Sequence, residues 1–176
     1  MEFADVIATR RSIRAYRPDP VDDDKLGRIL EAMRLAPTAC NRQPFRFLVV
    51  HTKGRERELR RVYGQPWFVA APLVICACGI PRDTFTRRDG KNYNDVDVTI
   101  AMDHLVLAAA NEGLGTCWIA AFDPAAAREV LSLPSDVELV AVSPLGYPAE
   151  HPEDPGRKAL RDLVFYERWG NRTPPG

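Results

Sequence analysis

The stretch Asp97–Phe122, DVTIAMDHLVLAAANEGLGTCWIAAF, decides how this chain is built. Apolar residues recur on nearly every side from Asp97 to Glu112, so the spacing predicts a helix that is central or pressed against another surface. Asp97 stands where a cap belongs, and Gly113 and Gly115 end the helix. Thr116–Phe122, TCWIAAF, then reads as a strand. Asp123-Pro124 offers a cap and a first-turn proline for a short helix.

On the N-terminal side, Phe3, Val6 and Ile7 mark a short amphipathic helix that runs into Arg10-Arg11-Ser12. Asp22–Leu35 reads as a longer helix. Three aspartates at its start suit the helix dipole, Leu26, Ile29, Leu30 and Met33 mark one face, and it must stop before Pro37. Phe45–His51 (FRFLVVH) and Pro72–Cys78 (PLVICAC) are too apolar to alternate and read as buried strands, with a charged helix, Lys53–Tyr63, between them. Gly79–Asn94 is a polar loop long enough to cover a site. Beyond the central stretch come a fourth strand, Val137–Leu145, a turn at Gly146-Tyr147-Pro148, a last helix from Arg157 to Trp169, and a Pro/Gly tail over 171–176 expected to fray. Helices alternating with strands favour, by themselves, a doubly wound parallel sheet.

The 176 residues, 19.7 kDa, suit one domain that buries its own core without staples. Basic and acidic residues balance at 24 each, which argues against a partner held by net charge, whether nucleic acid or anionic membrane. All but four of the cations are arginines, whose forked donors suit phosphate. The opening MEFADVIATRRSIR carries charges early and has no signal-type apolar core. The most apolar run, Val96–Leu107, is interrupted by Asp97, Asp103 and His104, so the expectation is a cytoplasmic protein with no membrane span. Cys40, Cys76, Cys78 and Cys117 form no metal-type pair, and with His51, His104 and His151 scattered, no metal site is expected.

There is no P-loop, no GxGxxG and no Gly-x-Ser-x-Gly; Gly113-Leu114-Gly115 joins helix to strand, the reverse of a dinucleotide fingerprint. Arg10, Arg11, Ser12 and Arg14 carry more meaning. Three guanidinium groups and a hydroxyl within five positions can hold a dianion bidentately, although on an arginine-rich chain the cluster also reads as a solvated basic patch. A second pair, Arg157-Lys158, opens the last predicted helix, where cations oppose the dipole and a bound anion relieves the conflict. Ala36–Phe45, APTACNRQPF, joins helix to strand with small residues that admit a flat ligand and with the amides of Asn41 and Gln43; its two prolines suit an ordinary turn equally well.

Together these pieces resemble a known family. RRSIRAY near the N-terminus, APTACNRQPFRF, GLGTCWIAAFD after the central helix, VAVSPLGYP and the late GRKALRDLVFYERWG are similar to the nitroreductase family of FMN-dependent oxidoreductases, in that order and from Phe3 to Trp169. The resemblance implies an α+β fold with a central mixed, mostly antiparallel sheet flanked by helices, in place of the parallel sheet. It also implies one nitroreductase-like FMN-binding domain over 1–176 and an intertwined homodimer with FMN at the interface. The helix Asp97–Glu112 would then pack against its copy.

By motif, the resemblance puts Arg10 toward the flavin phosphate and Arg14 toward the ribityl chain or pyrimidine edge, with Arg11 and Ser12 in the same loop. Arg157 and Lys158 complete the phosphate site. Pro37, Thr38, Ala39 and Asn41 belong to the segment lent to the other subunit's flavin. Trp118, Ile119, Ala120 and Ala121 run along the isoalloxazine, an N–H of Ala120 or Ala121 facing N5. No side chain is implied to be catalytic: tightly bound FMN takes a hydride at N5 from NADH or NADPH and passes it, in ping-pong fashion, to a nitroaromatic, quinone or similar acceptor. Family branches that perform reductive dehalogenation or flavin cleavage share these motifs, as would a flavin-holding protein without turnover. Ala120-Ala121 stands where many relatives carry glycine or an acidic residue, Phe45 where tryptophan is common, and only Ile80–Val96 is available as a lid.

Overall fold

Leu73–Gly79 is buried along its whole length, and the rest of the molecule is arranged around it. The structure, a computed structural model, describes residues 1–175. In chain order its strands are β1 (Phe45–His51), β2 (Leu73–Gly79), β3 (Gly115–Thr116) and β4 (Glu138–Gly146). Its α-helices are α1 (Phe3–Thr9), α2 (Asp23–Arg34), α3 (Glu56–Val62), α4 (Asn94–Asn111), α5 (Pro124–Val130) and α6 (Leu160–Leu163). The sheet order is β1-β2-β4-β3 and every ladder is antiparallel. The alternation of helix and strand therefore does not produce a parallel sheet: α3 is a seven-residue helix, and the chain has reversed by the time β2 begins. A single parallel bridge, Ser12 to Thr116, makes the sheet mixed at its β3 edge.

Successive residues of β2 point to opposite faces. Leu73, Ile75 and Ala77 pack with Ile29 of α2 and with Met102 and Leu105 of α4; Val74 and Cys76 pack with Leu59 of α3 and Phe68. A strand covered on both sides has no polar face to alternate with, hence the run LVICACG. Two aspartates that the sequence places at helix starts act as caps. The Asp22 carboxylate accepts from the N–H groups of Asp24 and Lys25 at 2.9 and 3.2 Å, and that of Asp123 accepts from Ala125 and Ala126, both at 2.9 Å. No helix among the described residues is long and apolar enough to cross a membrane.

Three expectations need correction. Asp97 is not a cap: α4 begins three residues earlier, at Asn94, and Asp97 lies inside its first turn, buried. The predicted strand Thr116–Phe122 pairs only at Gly115–Thr116 and again at a single bridge between Ile119 and Val142, because Trp118, Ala120 and Ala121 turn outward and leave the ladder. The predicted helix Arg157–Trp169 is reduced to Leu160–Leu163; Leu160 and Leu163 are exposed, so the apolar face finds nothing among the described residues to pack on. The loop Gly79–Asn94 contains a 3-10 turn, Pro81–Asp83, and a small hairpin closed by a bridge between Thr86 and Asn92. Of the tail expected to fray, Gly176 lies outside the described residues.

Candidate functional site

The arginine loop is fixed from beneath before any ligand is considered. Ser12 bridges Thr116, and the Ile13 N–H donates to the Thr116 carbonyl at 2.9 Å, stitching the loop to β3. Gly115 permits the approach, since a Cβ there would stand 2.7 Å from Ile13 Cγ1. Ile13 and Tyr16 are buried against Ala71, and the Tyr16 hydroxyl donates to the Ile13 carbonyl at 2.6 Å. Burial pushes that hydroxyl well above the ordinary phenol range, which keeps its proton in place for the bond.

Above this floor, Arg10, Arg11, Ser12, Arg14 and Arg157 line one cavity of ≈ 280 Å³, with Glu153 at its side. Arg11 is paired with Asp154 at 3.1 Å and donates to the carbonyls of Ala8 and Arg10 at 2.8 and 3.0 Å. Arg10, Arg14 and Arg157 have no carboxylate partner for their guanidinium groups among the described residues; that of Arg14 lies over the Trp67 ring, 5.9 Å from its centroid, while its backbone N–H is held by the Glu150 carboxylate. Three guanidinium groups without an ion pair outnumber the Glu153 carboxylate on the same cavity wall, and a phosphate dianion answers that excess of positive charge with bidentate bonds. The donor set therefore fits the phosphorylated tail of FMN.

Lys158 is exposed and does not line this cavity, and Arg157-Lys158 precedes α6 instead of opening a long helix. The meaning of Arg157 thus comes from its meeting with the arginine loop, not from a helix dipole. A larger neighbouring cavity, ≈ 480 Å³, shares Arg10 and Arg11 and carries Glu150 and His151.

From the same edge of β3 the chain continues into Cys117–Ala121. Cys117 is buried, its N–H donating to Ser143 Oγ at 3.0 Å, and burial raises its thiol. Ile119 exchanges both backbone bonds with Val142, at 2.9 and 3.0 Å. The alternate residues Trp118 and Ala120 face outward with Ala121, and no acceptor of this chain engages the N–H groups of Ala120 and Ala121 among the described residues. Two exposed backbone donors beside an exposed indole make a ledge that a flat, hydrogen-bonding ring can use.

The segment Pro37–Gln43 lies elsewhere: none of Pro37, Thr38, Ala39 and Asn41 lines the arginine cavity. Cys40, Asn41 and Gln43 adopt φ of 53°, 52° and 51°, left-handed backbone that costs roughly 1–3 kcal/mol at each non-glycine position. Local bonds hold the shape: Thr38 Oγ1 accepts the Gln43 N–H at 3.0 Å, and the Gln43 side-chain amide donates to Asn41 Oδ1 at 3.0 Å. One chain therefore assembles the arginine loop, Arg157 and the Trp118–Ala121 ledge, and carries the Pro37–Asn41 segment apart from them. Sequence reading misses Glu150, Glu153 and Asp154, although the acidic residues beside Arg157 in EHPEDPGRK signal them; it also misses the support that Gly115, Ile13 and Tyr16 give.

The chain belongs to the nitroreductase family, whose model, described as Nitroreductase family, matches residues 7–66 and 55–147. It is 31% identical over 188 residues to a Thermus thermophilus protein named NADH dehydrogenase, covering 89% of this chain and 92% of that one. It is also 31% identical to a putative NADH dehydrogenase/NAD(P)H nitroreductase of Methanothermobacter thermautotrophicus, covering 96% and 88%. A crystal structure of a nitroreductase family protein from Clostridium difficile superposes with a TM-score of 0.87 at 35% identity, covering 96% of this chain and 99% of that one. Further relatives are named FMN reductase [NAD(P)H] in Bacillus subtilis (30% identical, 82% of this chain, 65% of that one), 5,6-dimethylbenzimidazole synthase in Rhodospirillum rubrum (29%, 81% of each) and iodotyrosine deiodinase in Thermotoga neapolitana (23%, 92% and 94%).

Proposed function

We propose that this chain is a cytoplasmic, FMN-dependent NAD(P)H oxidoreductase, one FMN-binding domain per chain, acting as a homodimer on nitroaromatic, quinone or similar small acceptors. The observation that carries the reading is the meeting of Arg10, Arg14 and Arg157, all without an ion-pair partner among the described residues, around one cavity near the exposed Trp118–Ala121 ledge. Arg10 and Arg157 hold the phosphate, with Arg11 and Ser12 lining the same cavity and Lys158 adding positive charge from outside it, and Arg14 supplies positive charge toward the ring. The free N–H groups of Ala120 and Ala121 orient the ring's edge. Pro37, Thr38, Ala39 and Asn41 serve the site of the second copy, which is why they stand apart from the arginines of their own chain. When bound, FMN supplies hydride transfer between NADH or NADPH and the acceptor, the two using one pocket in turn.

The homodimer is supported by apolar surface that one chain leaves bare. Phe3 (70% exposed) and Leu35 (63%) flank a groove of ≈ 560 Å³ lined also by Leu107 and Ala108 of α4, and Trp169 is 92% exposed. The test of function is spectroscopic. Purified protein should be yellow, or become so on adding FMN, should bleach anaerobically with NADH or NADPH, and should recover its colour with a nitroarene or quinone. Protein that stays colourless in excess FMN overturns the reading; bound FMN that neither nicotinamide reduces replaces it with flavin holding without turnover.

A further inference from the structure

The carboxylate of Asp97 is buried, 1% exposed, and no lysine or arginine pairs with it among the described residues. A bare carboxylate in such a place is unfavourable unless its oxygens are hydrogen-bonded. Both are. Oδ1 accepts the Ala39 N–H at 2.9 Å and Oδ2 accepts the Thr84 hydroxyl at 3.2 Å. The position in the first turn of α4 adds the favourable end of the helix dipole. Thr84 is itself buried, and its carbonyl accepts Arg42 Nη1 at 2.8 Å. One acidic side chain thus joins three elements: the rigid central helix, the left-handed segment Thr38–Gln43, and the Ile80–Asn92 loop.

We propose that Asp97 is a positioning residue for the flavin, setting the backbone of Ala39 from the core so that the Thr38–Asn41 segment is presented in one fixed shape. This rests on the reading that the segment serves a flavin site. Its neighbours Cys40, Asn41 and Gln43 all sit in the left-handed region, a conformation such residues keep only when the surroundings impose it. The bonds among Thr38, Asn41 and Gln43 shape the segment internally, whereas Asp97 ties it to the helix and the sheet behind. Thr84 orients the carboxylate so that its other oxygen faces Ala39, and by the same bond registers the Ile80–Asn92 loop against the segment.

The experiment measures the FMN dissociation constant by fluorescence titration, and the visible circular dichroism of the flavin at saturation, for wild type, Asp97→Ala, Asp97→Asn and Thr84→Val, with the melting temperature of each apoprotein. Asp97→Ala should weaken FMN at least tenfold and change the visible dichroism. Asp97→Asn, which keeps an oxygen for the Ala39 N–H, should stay within threefold of wild type. Thr84→Val should fall between them. Unchanged affinity and dichroism in Asp97→Ala overturn the proposal whatever its melting temperature, since a merely structural role would move only the latter. If Asp97→Ala does not fold, wild-type behaviour of Thr84→Val overturns it instead. Wild-type protein that binds no FMN refutes the functional reading, a result distinct from either.

Discussion

Arg10, Arg14 and Arg157 face one cavity, without an ion-pair partner among the described residues and outnumbering the Glu153 carboxylate beside them, and that arrangement has a measurable worth. Truncating Arg10 or Arg157 to alanine should weaken FMN by about 1.5–3 kcal/mol each, the size of a charge-assisted contact. Fluorescence titration measures it, and unchanged flavin retention through gel filtration counts against the assignment. At this scale half of the site is legible in the sequence. Arg10, Arg11, Ser12 and Arg14 announce themselves because they are neighbours. The approach of Arg157 is not legible from spacing, because it depends on how the chain returns past β3, and only the resemblance to a family supplies it. Asp97 is misread for a different reason: an aspartate near a helix start looks like a cap from sequence, and only burial and the two donors reveal that it faces inward.

Elements matter here for what they hold still. Gly115 on β3 leaves room for Ile13, so Gly115→Ala should push the arginine loop off its support and cost about 1–3 kcal/mol of stability as overpacking. A urea midpoint measures the loss; an unchanged midpoint would mean that the loop is not seated as described. Helices α2 and α4 are tied at one end by the Arg28 fork onto Glu112, both bonds 2.8 Å, and by Lys25 Nζ on the Glu112 carbonyl, also 2.8 Å. The Arg28 hydrogen bonds hold the Glu112 carboxyl below the usual carboxylate range. A carboxyl lowered by folding contributes stability that is present above its unfolded value and is lost as pH falls through its folded value. Glu112→Gln should therefore be less stable at neutral pH and show a shallower decline in acid, read from urea midpoints against pH; parallel curves would disprove the tie.

The strands β1, β2 and β4 and the capped helices are legible because apolar runs and aspartate caps act locally. The TCWIAAF strand and the last helix are not, because both of those outcomes depend on what lies beside them. Trp118 and Ala120 face away from β4, which the chain meets again at the Ile119–Val142 bridge, and Leu160 and Leu163 are exposed, with no surface to cover among the described residues.

At the scale of the molecule, the arginine cavity and the Pro37–Asn41 segment do not meet within one chain, and apolar side chains stand bare along α1, α2 and the C-terminal stretch. A dimer that completes each site from both copies should lose flavin and fall apart together. Dilution followed by analytical ultercentrifugation with absorbance at the flavin band should find colour only in the dimer peak, and a stable, FMN-loaded monomer would contradict it. Each of the two segments that the proposal brings together is held in place separately, the arginine loop by its stitch to β3 and the other segment by its tie to α4. On the proposed dimer, joining them would ask for little reordering, and FMN would act as mortar between finished bricks. A ligand present at 100 times its dissociation constant stabilises the state that binds it by roughly 2.7 kcal/mol. On the proposed dimer, pairing would track vitamin supply: a cell short of riboflavin would hold more of this protein as solitary, adhesive subunits.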